Sequence, residues 1–262
     1  ASNANSGTFV LWNWKAGGSA SSNSNGSITS SVSASTDAGF SIVSYTGNNT
    51  AGATVGHGLS TAPSMVIVRN RNRTDNRDWV IYHTGLTGIN YYIYLNTNAA
   101  QAGTYSNFWN DTVPSSSVIT LGSGDTGTNG SSDTYIAYCF ANVKGYSKFG
   151  SYTGNANADG PMIYTGFRPA WFLVKNTAAS EHWRIYDNKR DTFNHMYHVL
   201  FPNENSAEST VNNASEEIDF LSNGVKIRSS AAQLNGSGNT LIYMAFAESP
   251  FVNSNGIPNN AR

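Results

Sequence analysis

Five carboxylate side chains lie close together in the second part of the sequence, and their spacing could serve acid–base chemistry. They are Glu204, Glu208, Glu216, Glu217 and Asp219. Glycoside hydrolysis needs an acid and a base or nucleophile roughly 5–10 Å apart. No Glu precedes Glu181, however, and the sequence holds no Gly-x-Ser-x-Gly elbow, no phosphate-binding glycine loop before a helix and no His-Glu-x-x-His. We therefore interpret these carboxylates as solvated loop residues and predict a protein that is not an enzyme, without catalytic residues.

Metal-binding patterns are equally weak. His195 and His198 are three residues apart, which on a strand would direct them to opposite faces and make joint ligation of a metal awkward. Asp125 and Asp133 could supply oxygen ligands to Ca²⁺, but the spacing of an EF-hand is missing. We expect no metal site and no cofactor, and leave calcium binding open.

A run of arginines forms the most concentrated charge. Arg69, Arg71 and Arg73 would share one face of a continuous strand, and Arg77 follows. Such a patch could bind phosphate. Nearby aspartates partly neutralise it, and the corresponding segment of the second part lacks the run, so we favour a solvated hairpin tip.

Aromatic residues, 12% of the chain, are the better functional signal. Several stand in Asn- and Gly-rich surroundings, where rings can stack on sugar faces while Asn, Asp and backbone groups bond the hydroxyls. The predicted glycan-binding residues are Tyr91, Tyr92, Tyr105, Trp109, His195 and Tyr197. The same composition suits a subunit interface, and both alternatives stay open.

Composition excludes several classes of protein. The 262 residues include 33 Asn but only 31 charged residues, with a net charge of −1. Since non-specific attraction to nucleic acid grows with the phosphates neutralised, we expect no nucleic-acid partner. No apolar run approaches the roughly 20 residues of a membrane span, so we expect no membrane insertion. The single Cys139 excludes an internal disulfide. The first residue is not Met, which suggests a fragment or a processed product.

Self-comparison reveals a repeat. Four blocks recur in the same order: 39–48 as 145–155, 62–70 as 168–176, 78–83 as 182–187, and 133–141 as 239–247. The period is about 106 residues, the size of a small domain rather than of a solenoid repeat.

The last of these blocks, 133–141 and 239–247, closes each repeat, and we call it the closing block. A similar sequence also lies at the beginning of the chain, over residues 7–15. Phe9, Leu11, Trp12 and Trp14 give both faces of this segment apolar character, which predicts a strand within a core. Either the natural chain continues upstream into an earlier unit, or the segment is an arm that pairs with the open edge of another subunit. The linker-like composition that follows favours upstream continuation.

The repeated blocks follow the two-residue period of strands, and no segment shows a sustained helical period. We predict an all-β fold of tandem antiparallel β-sandwich modules, jelly-roll or lectin-like. The predicted boundaries are 1–38 for the N-terminal strand and a Gly/Ser-rich linker or arm, 39–143 and 144–250 for the two modules, and 251–262 for a C-terminal tail. Residues 16–37 are typical of a flexible linker, although Ile28, Val32 and the alternating Ser/Thr also allow an extended edge strand.

A resemblance to a known family extends over essentially the whole chain. The segments that carry it are Trp12-Asn13-Trp14-Lys15-Ala16-Gly17-Gly18, residues 39–47, Val55-Gly56-His57-Gly58-Leu59, residues 149–155 and residues 218–224. They resemble a repeat family of unknown function found in tail-fibre-like and other virion structural proteins of marine tailed bacteriophages. The resemblance implies a virion context and supplies no catalytic residues.

Residues and resemblance together favour a phage tail-fibre or receptor-binding module on the virion surface, outside any cell, that attaches to a host surface glycan. Its partners would be that glycan and other virion proteins. Homotrimerisation follows only by analogy with fibres. The alternative is a purely structural subunit, in capsid decoration or a filament, held by strand exchange through Phe9, Leu11, Trp12 and Trp14.

Overall fold

The computed structural model describes residues 5–73, 78–210 and 216–250. Over these residues the protein is all-β, with one short helix, α1 (Ala232–Asn235), and several antiparallel sheets. Among them, no helix is long and apolar enough to cross a membrane. The predicted tail 251–262 lies outside the described residues.

The first half of the chain forms a seven-stranded main sheet with the order β1-β2-β3-β9-β5-β6-β7, and a second sheet of β4 and β8. Its strands are β1 (Ser21–Asn23), β2 (Ser30–Ser35), β3 (Phe40–Thr46), β4 (Ala53–Gly56), β5 (Met65–Asn70), β6 (Val80–His83), β7 (Ile93–Tyr94), β8 (Val118–Leu121) and β9 (Thr134–Phe140).

The second half forms a four-stranded main sheet with the order β10-β18-β12-β13, a sheet of order β11-β17-β16, and the pair β14-β15. Its strands are β10 (Ser147–Thr153), β11 (Met162–Tyr164), β12 (Pro169–Asn176), β13 (Arg184–Asp187), β14 (His198–Val199), β15 (Ser209–Thr210), β16 (Ile218–Leu221), β17 (Gly224–Ile227) and β18 (Thr240–Ala247).

The two halves share one strand order. In the first half β3-β9-β5-β6 are neighbours, and in the second half β10-β18-β12-β13 follow the same order. The facing sheets also correspond, since β4 pairs with β8 and β11 pairs with β17. Each repeated sequence block therefore occupies the same place in its own main sheet.

Both faces of the closing strands are apolar because each strand lies between two cores. In β9, Tyr135, Ala137 and Cys139 enter the core of the first half. Phe140 points the other way, into a cluster shared by the two halves, as Met244 does from β18. A strand buried on both faces gives the near-continuous apolar run that both closing blocks show.

The shared cluster holds the halves together. We call the seven-stranded sheet main sheet 1 and the four-stranded sheet main sheet 2. The cluster joins residues of main sheet 1, such as Met65 and Ile67, to residues of main sheet 2, such as Trp171 and Phe246. The layers thus run from the β4-β8 sheet through the two main sheets to the β11-β17-β16 sheet, with one core between each neighbouring pair.

Residues 21–35 form an edge hairpin rather than a flexible linker. β1 pairs with β2, and β2 pairs with β3. Ile28 and Val32 are buried in the core of the first half, where their apolar surface anchors an otherwise hydroxyl-rich segment. The predicted boundary at residue 38 therefore falls between two strands of one sheet.

Within the described chain, residues 7–15 lie outside the strands, and their predicted pairing with an upstream unit or another subunit stays a prediction. Trp12 and Trp14 instead pack against the shared cluster, with the Trp14 ring 5.4 Å from that of Trp171. Phe9 and Leu11 remain 57% and 79% exposed. Both tryptophans therefore pack against side chains of the same chain.

Candidate functional site

Three of the tyrosines in the first half form one partly exposed patch. Tyr92 and Tyr94, at β7, and Tyr105, in the following loop, surround the buried Phe108 and pack on the core of the first half. The Tyr92 ring lies 5.2 Å from that of Tyr94, 5.5 Å from that of Tyr105 and 4.8 Å from that of Phe108. We call Tyr92, Tyr94 and Tyr105 the tyrosine patch.

Polar contacts fix the hydroxyl ends of the patch. The Tyr105 hydroxyl donates to Oδ2 of Asp125 at 2.5 Å. Partial burial, and then this hydrogen bond, raise the pKa of Tyr105 to about 12. Burial, reinforced by Tyr92, also raises the pKa of Tyr94 above its ordinary value. At neutral pH both hydroxyls therefore stay protonated; the Tyr105 hydroxyl, which already donates to Asp125, can still accept a hydrogen bond.

The back of the patch is anchored to the other half. The indole of the buried Trp183 donates to the Tyr94 carbonyl at 2.9 Å. Two acidic residues, Asp78 and Asp125, flank the hydroxyls; Asp78 accepts a 2.8 Å hydrogen bond from Asn96. Rings held this firmly lose little entropy when a ligand stacks on them.

Two predicted glycan-binding residues do not join this patch. Trp109 is only 2% exposed and packs in the core of the first half, so its ring cannot stack on a sugar. Although the neighbouring residues are polar, burial of the large apolar ring is favourable and places it in the core. Tyr91 points to the opposite side of the chain from Tyr92 and packs against the shared cluster, and the backbone of Gly103 lies directly on its ring.

His195 and Tyr197 lie apart from the patch in sequence, in the second half. Half-exposed His195 places Nδ1 2.6 Å from Oδ1 of Asp219, whose other oxygen accepts from Arg228. The Tyr197 ring lies 4.5 Å from that of His198. The latter imidazole bonds a different carboxylate, that of Asp191, so the two histidines belong to separate networks.

The carboxylates considered for acid–base chemistry are mostly paired with cations. Glu208 bonds Arg190, Glu216 bonds Arg184, and Glu204 lies 3.1 Å from His182. Asp219 sits between His195 and Arg228. Each of these four carboxylates thus contacts a basic side chain.

Asp125 and Asp133, considered for calcium, belong to different networks. Asp125 bonds Tyr105 and the Gly127 amide, whereas Asp133 bonds the guanidinium of Arg73 and the amide of Asn70. Within the described residues, His, Cys, Asp and Glu form no group of three that could hold a metal ion.

Two buried asparagines are structural residues that reasoning from the sequence missed. Asn129 and Asn235 are fully buried, although their surroundings resemble ordinary turns. Each half contains a Tyr-Thr-Gly-Asn motif, at residues 45–48 and 152–155. The Asn129 side-chain oxygen accepts the backbone amide of Asn48 at 2.9 Å, and that of Asn235 accepts the amide of Asn155 at 2.7 Å. The sequence carries one sign of this role: both asparagines stand in an Asn-Gly dipeptide, and the two dipeptides are one repeat period apart.

The same motif carries a second bond. The Tyr45 hydroxyl donates to the carbonyl of Thr128 at 2.7 Å, and the Tyr152 hydroxyl donates to that of Leu234 at the same distance. These carbonyls belong to the residues immediately before the buried asparagines. In each half the motif is therefore held to the segment around the Asn-Gly dipeptide by these hydrogen bonds, which we call the lock of that half. The most evident sequence repeat therefore has a structural role.

No curated protein and no solved structure matches the chain. A family profile described as a domain of unknown function matches residues 1–250 and thus runs across both halves. The chain belongs to this family, the domain of unknown function DUF7483.

Proposed function

We propose that this protein is a non-enzymatic attachment module on the surface of a bacteriophage virion, part of a tail fibre or receptor-binding protein, that binds a glycan of the host surface. The tyrosine patch is the observation that carries the proposal. The resemblance of the sequence to virion proteins supplies the context, and homotrimerisation remains an analogy with fibres.

The patch suits a carbohydrate for physical reasons. Partly exposed rings offer apolar surface for the C–H faces of a sugar, while protonated hydroxyls and carboxylates can bond its hydroxyl groups. Asp78 and Asp125 disfavour an anionic sugar because like charges repel at short range. The ligand of the patch would therefore be a neutral or basic sugar unit.

We further propose that the two halves are tandem β-sandwich modules of one ancestral design, with jelly-roll or lectin-like connections. The shared strand order supports this origin. So do the equivalent locks built on Asn129 and Asn235.

Binding by the patch is tested with Tyr105→Ala, which removes a loop ring without opening the centre of a sheet. Full chain is screened on a glycan array, and the neutral oligosaccharide bound best is titrated by calorimetry. We expect an affinity loss of about tenfold or more, because an aromatic anchor dominates a small interface. The matched control is Tyr164→Ala, which removes an exposed tyrosine on β11, outside the patch.

Equal affinities for wild type and Tyr105→Ala, with the thermal transition retained, would remove the patch from the attachment site. Depolymerisation of a bound polysaccharide by purified protein would contradict the non-enzymatic proposal.

The alternative, a structural subunit held by strand exchange, draws on a different observation. Phe9 and Leu11 expose most of their apolar surface beside the well-packed Trp12 and Trp14. A short apolar segment in extended chain can add to the open edge of a sheet in another subunit.

The double variant Phe9→Ser/Leu11→Ser tests strand exchange. If the alternative holds, analytical ultracentrifugation should show assemblies of the wild type and monomers of the variant, because the exchanged segment loses its apolar contacts. Val113→Ser, which changes an equally exposed side chain elsewhere, should leave the assemblies intact. Assemblies that survive the double substitution would reject this role for the segment.

A further inference from the structure

A groove rich in hydroxyl groups lies on main sheet 1, on the face that also carries the shared cluster. Its volume is about 380 Å³. The side chains that define this hydroxyl groove are those of Ser22, Ser31, Ser44, Thr46, Thr134 and Arg71.

Strand register arranges these side chains in two rows. Ser22 is opposite Ser31, which is opposite Ser44 on the next strand. The second row begins two residues after Ser44 on β3. There Thr46 is opposite Thr134, whose carbonyl accepts the amide of Arg71 at 2.8 Å. Neighbouring strands thus bring serine and threonine hydroxyls side by side, with a guanidinium at the end of the second row.

The direction of the hydroxyls follows from the alternation of side chains along a strand. Val32, Tyr45 and Tyr135 point into the core of the first half and are at most 5% exposed. Their neighbours must therefore point to the other face. Near Phe40 that face is covered by the shared cluster, whereas towards Thr46 it opens to solvent.

The corresponding row of the second half ends in a buried threonine instead of an exposed arginine. There Thr153 is opposite Thr240, whose carbonyl accepts the amide of Thr177. Thr177 is 1% exposed, and its own carbonyl accepts the amide of Gln101 from the other half. Arg71 takes the position of Thr177 in the row of the first half. The cation thus occurs in the copy where solvent can reach it.

The three clustered arginines have different surroundings. Arg69 lies 5.9 Å over the ring of Trp79, and Arg73 bonds Asp133. Arg71 lines the groove, and the described residues that line it include no carboxylate. A planar guanidinium can bond a carboxylate or sulfate through two parallel hydrogen bonds, while Ser and Thr hydroxyls both donate and accept.

We propose that the hydroxyl groove is a binding site for an acidic saccharide, in which Arg71 bonds the carboxylate or sulfate group and the hydroxyl rows bond the sugar oxygens. The volume lies within the usual range of ligand sites, about 300–1,000 Å³. A single guanidinium favours a sugar acid over a nucleic acid, whose binding requires several neutralised phosphates. This site is distinct from the tyrosine patch and does not depend on it.

The test uses the full chain with three polymers: polygalacturonate, dextran sulfate and neutral dextran. We expect one or both acidic polymers to bind and neutral dextran not to bind at this site. Arg71→Gln should lower the affinity for the acidic polymer about tenfold, since it removes a charge-assisted pair. Lys144→Gln, which removes an exposed positive charge outside the groove, is the matched control and should change it little.

The two acidic polymers distinguish a carboxylate from a sulfate ligand. Equal losses in the Arg71 and Lys144 variants would show that only net charge matters and would overturn the proposal, as would the failure of both acidic polymers to bind. Single-stranded DNA bound with the same dependence on Arg71 would overturn the assignment to a saccharide. Tyr105→Ala should leave binding of the acidic polymers unchanged, so failure of the tyrosine patch would not be confused with failure of the groove.

Discussion

Asn129→Ala is expected to lower the free energy of unfolding by about 3 kcal/mol, because it removes four hydrogen bonds that a fully buried side chain makes to backbone groups. The Asn129 amide donates to the carbonyls of Gly122 and Thr50, at 2.7 and 3.1 Å. Its oxygen accepts the amides of Asn48 and Asn49. Alanine would remove the side-chain partner of the buried Gly122 carbonyl and of the Asn48 amide, while the Asn49 amide would keep its bond to the Asn129 carbonyl.

Chemical denaturation followed by tryptophan fluorescence measures the effect, with Asn98→Ala as the control at an exposed asparagine. Asn235→Ala should cost a similar amount, because Asn235 bonds the carbonyls of Asn157 and Ser229 in the same manner. A loss below about 1 kcal/mol for both buried sites would show that water replaces the side chains and that the lock contributes little.

His83 should make the protein less stable in mild acid. This histidine is fully buried between the halves; its Nε2 lies 3.1 Å from the Tyr243 carbonyl, and its Nδ1 accepts the amide of Gly85. A ring that accepts at one nitrogen and donates at the other is neutral. Burial lowers the pKa of His83 from 6.5 to about 4, although the bond to Tyr243 opposes the shift.

The direction of the pH effect follows from proton uptake. Above pH 6.5 the folded and unfolded states both hold a neutral His83, and stability is full. As the pH falls towards 4, the unfolded state binds a proton that the folded state does not, so the free energy of unfolding decreases. At pH 5 the loss from this group should be about 2 kcal/mol.

Urea denaturation of wild type and His83→Gln at pH 7.5 and pH 5 measures the effect. Glutamine can still donate to the Tyr243 carbonyl but does not titrate, so the variant should lose about 2 kcal/mol less over this interval. A smaller dependence should persist, since burial also lowers the pKa of His57. Identical pH dependences in the two proteins would exclude His83 as the titrating group, whatever the absolute stability of the variant.

The repeat in the sequence predicted the main sheets well, because the repeated blocks are the strands that both cores need. Blocks 133–141 and 239–247 contain β9 and β18, where alternating apolar residues face two cores. The all-β class is confirmed. The segment around Phe9 shares the pattern but forms no strand, since an apolar pattern specifies compatibility with a sheet and not the presence of a partner.

Side-chain burial in loops was harder to predict. Trp109 and Asn129 both stand in Asn/Gly-rich sequence, yet both side chains are buried in the folded protein. Local composition indicates which backbone conformations are easy and says little about which loop closes over a core. Tyr92 and Tyr105 come together because β7 and the loop after it fold back on one core, a long-range contact that composition cannot reveal.

Because β9 and β18 each contribute side chains to two clusters of buried residues, the packing of the two halves is coupled. A substitution such as one at Ala137 or Met244 alters the packing of a strand that contributes to two cores, so its effect on stability should extend beyond the core in which the substituted side chain lies.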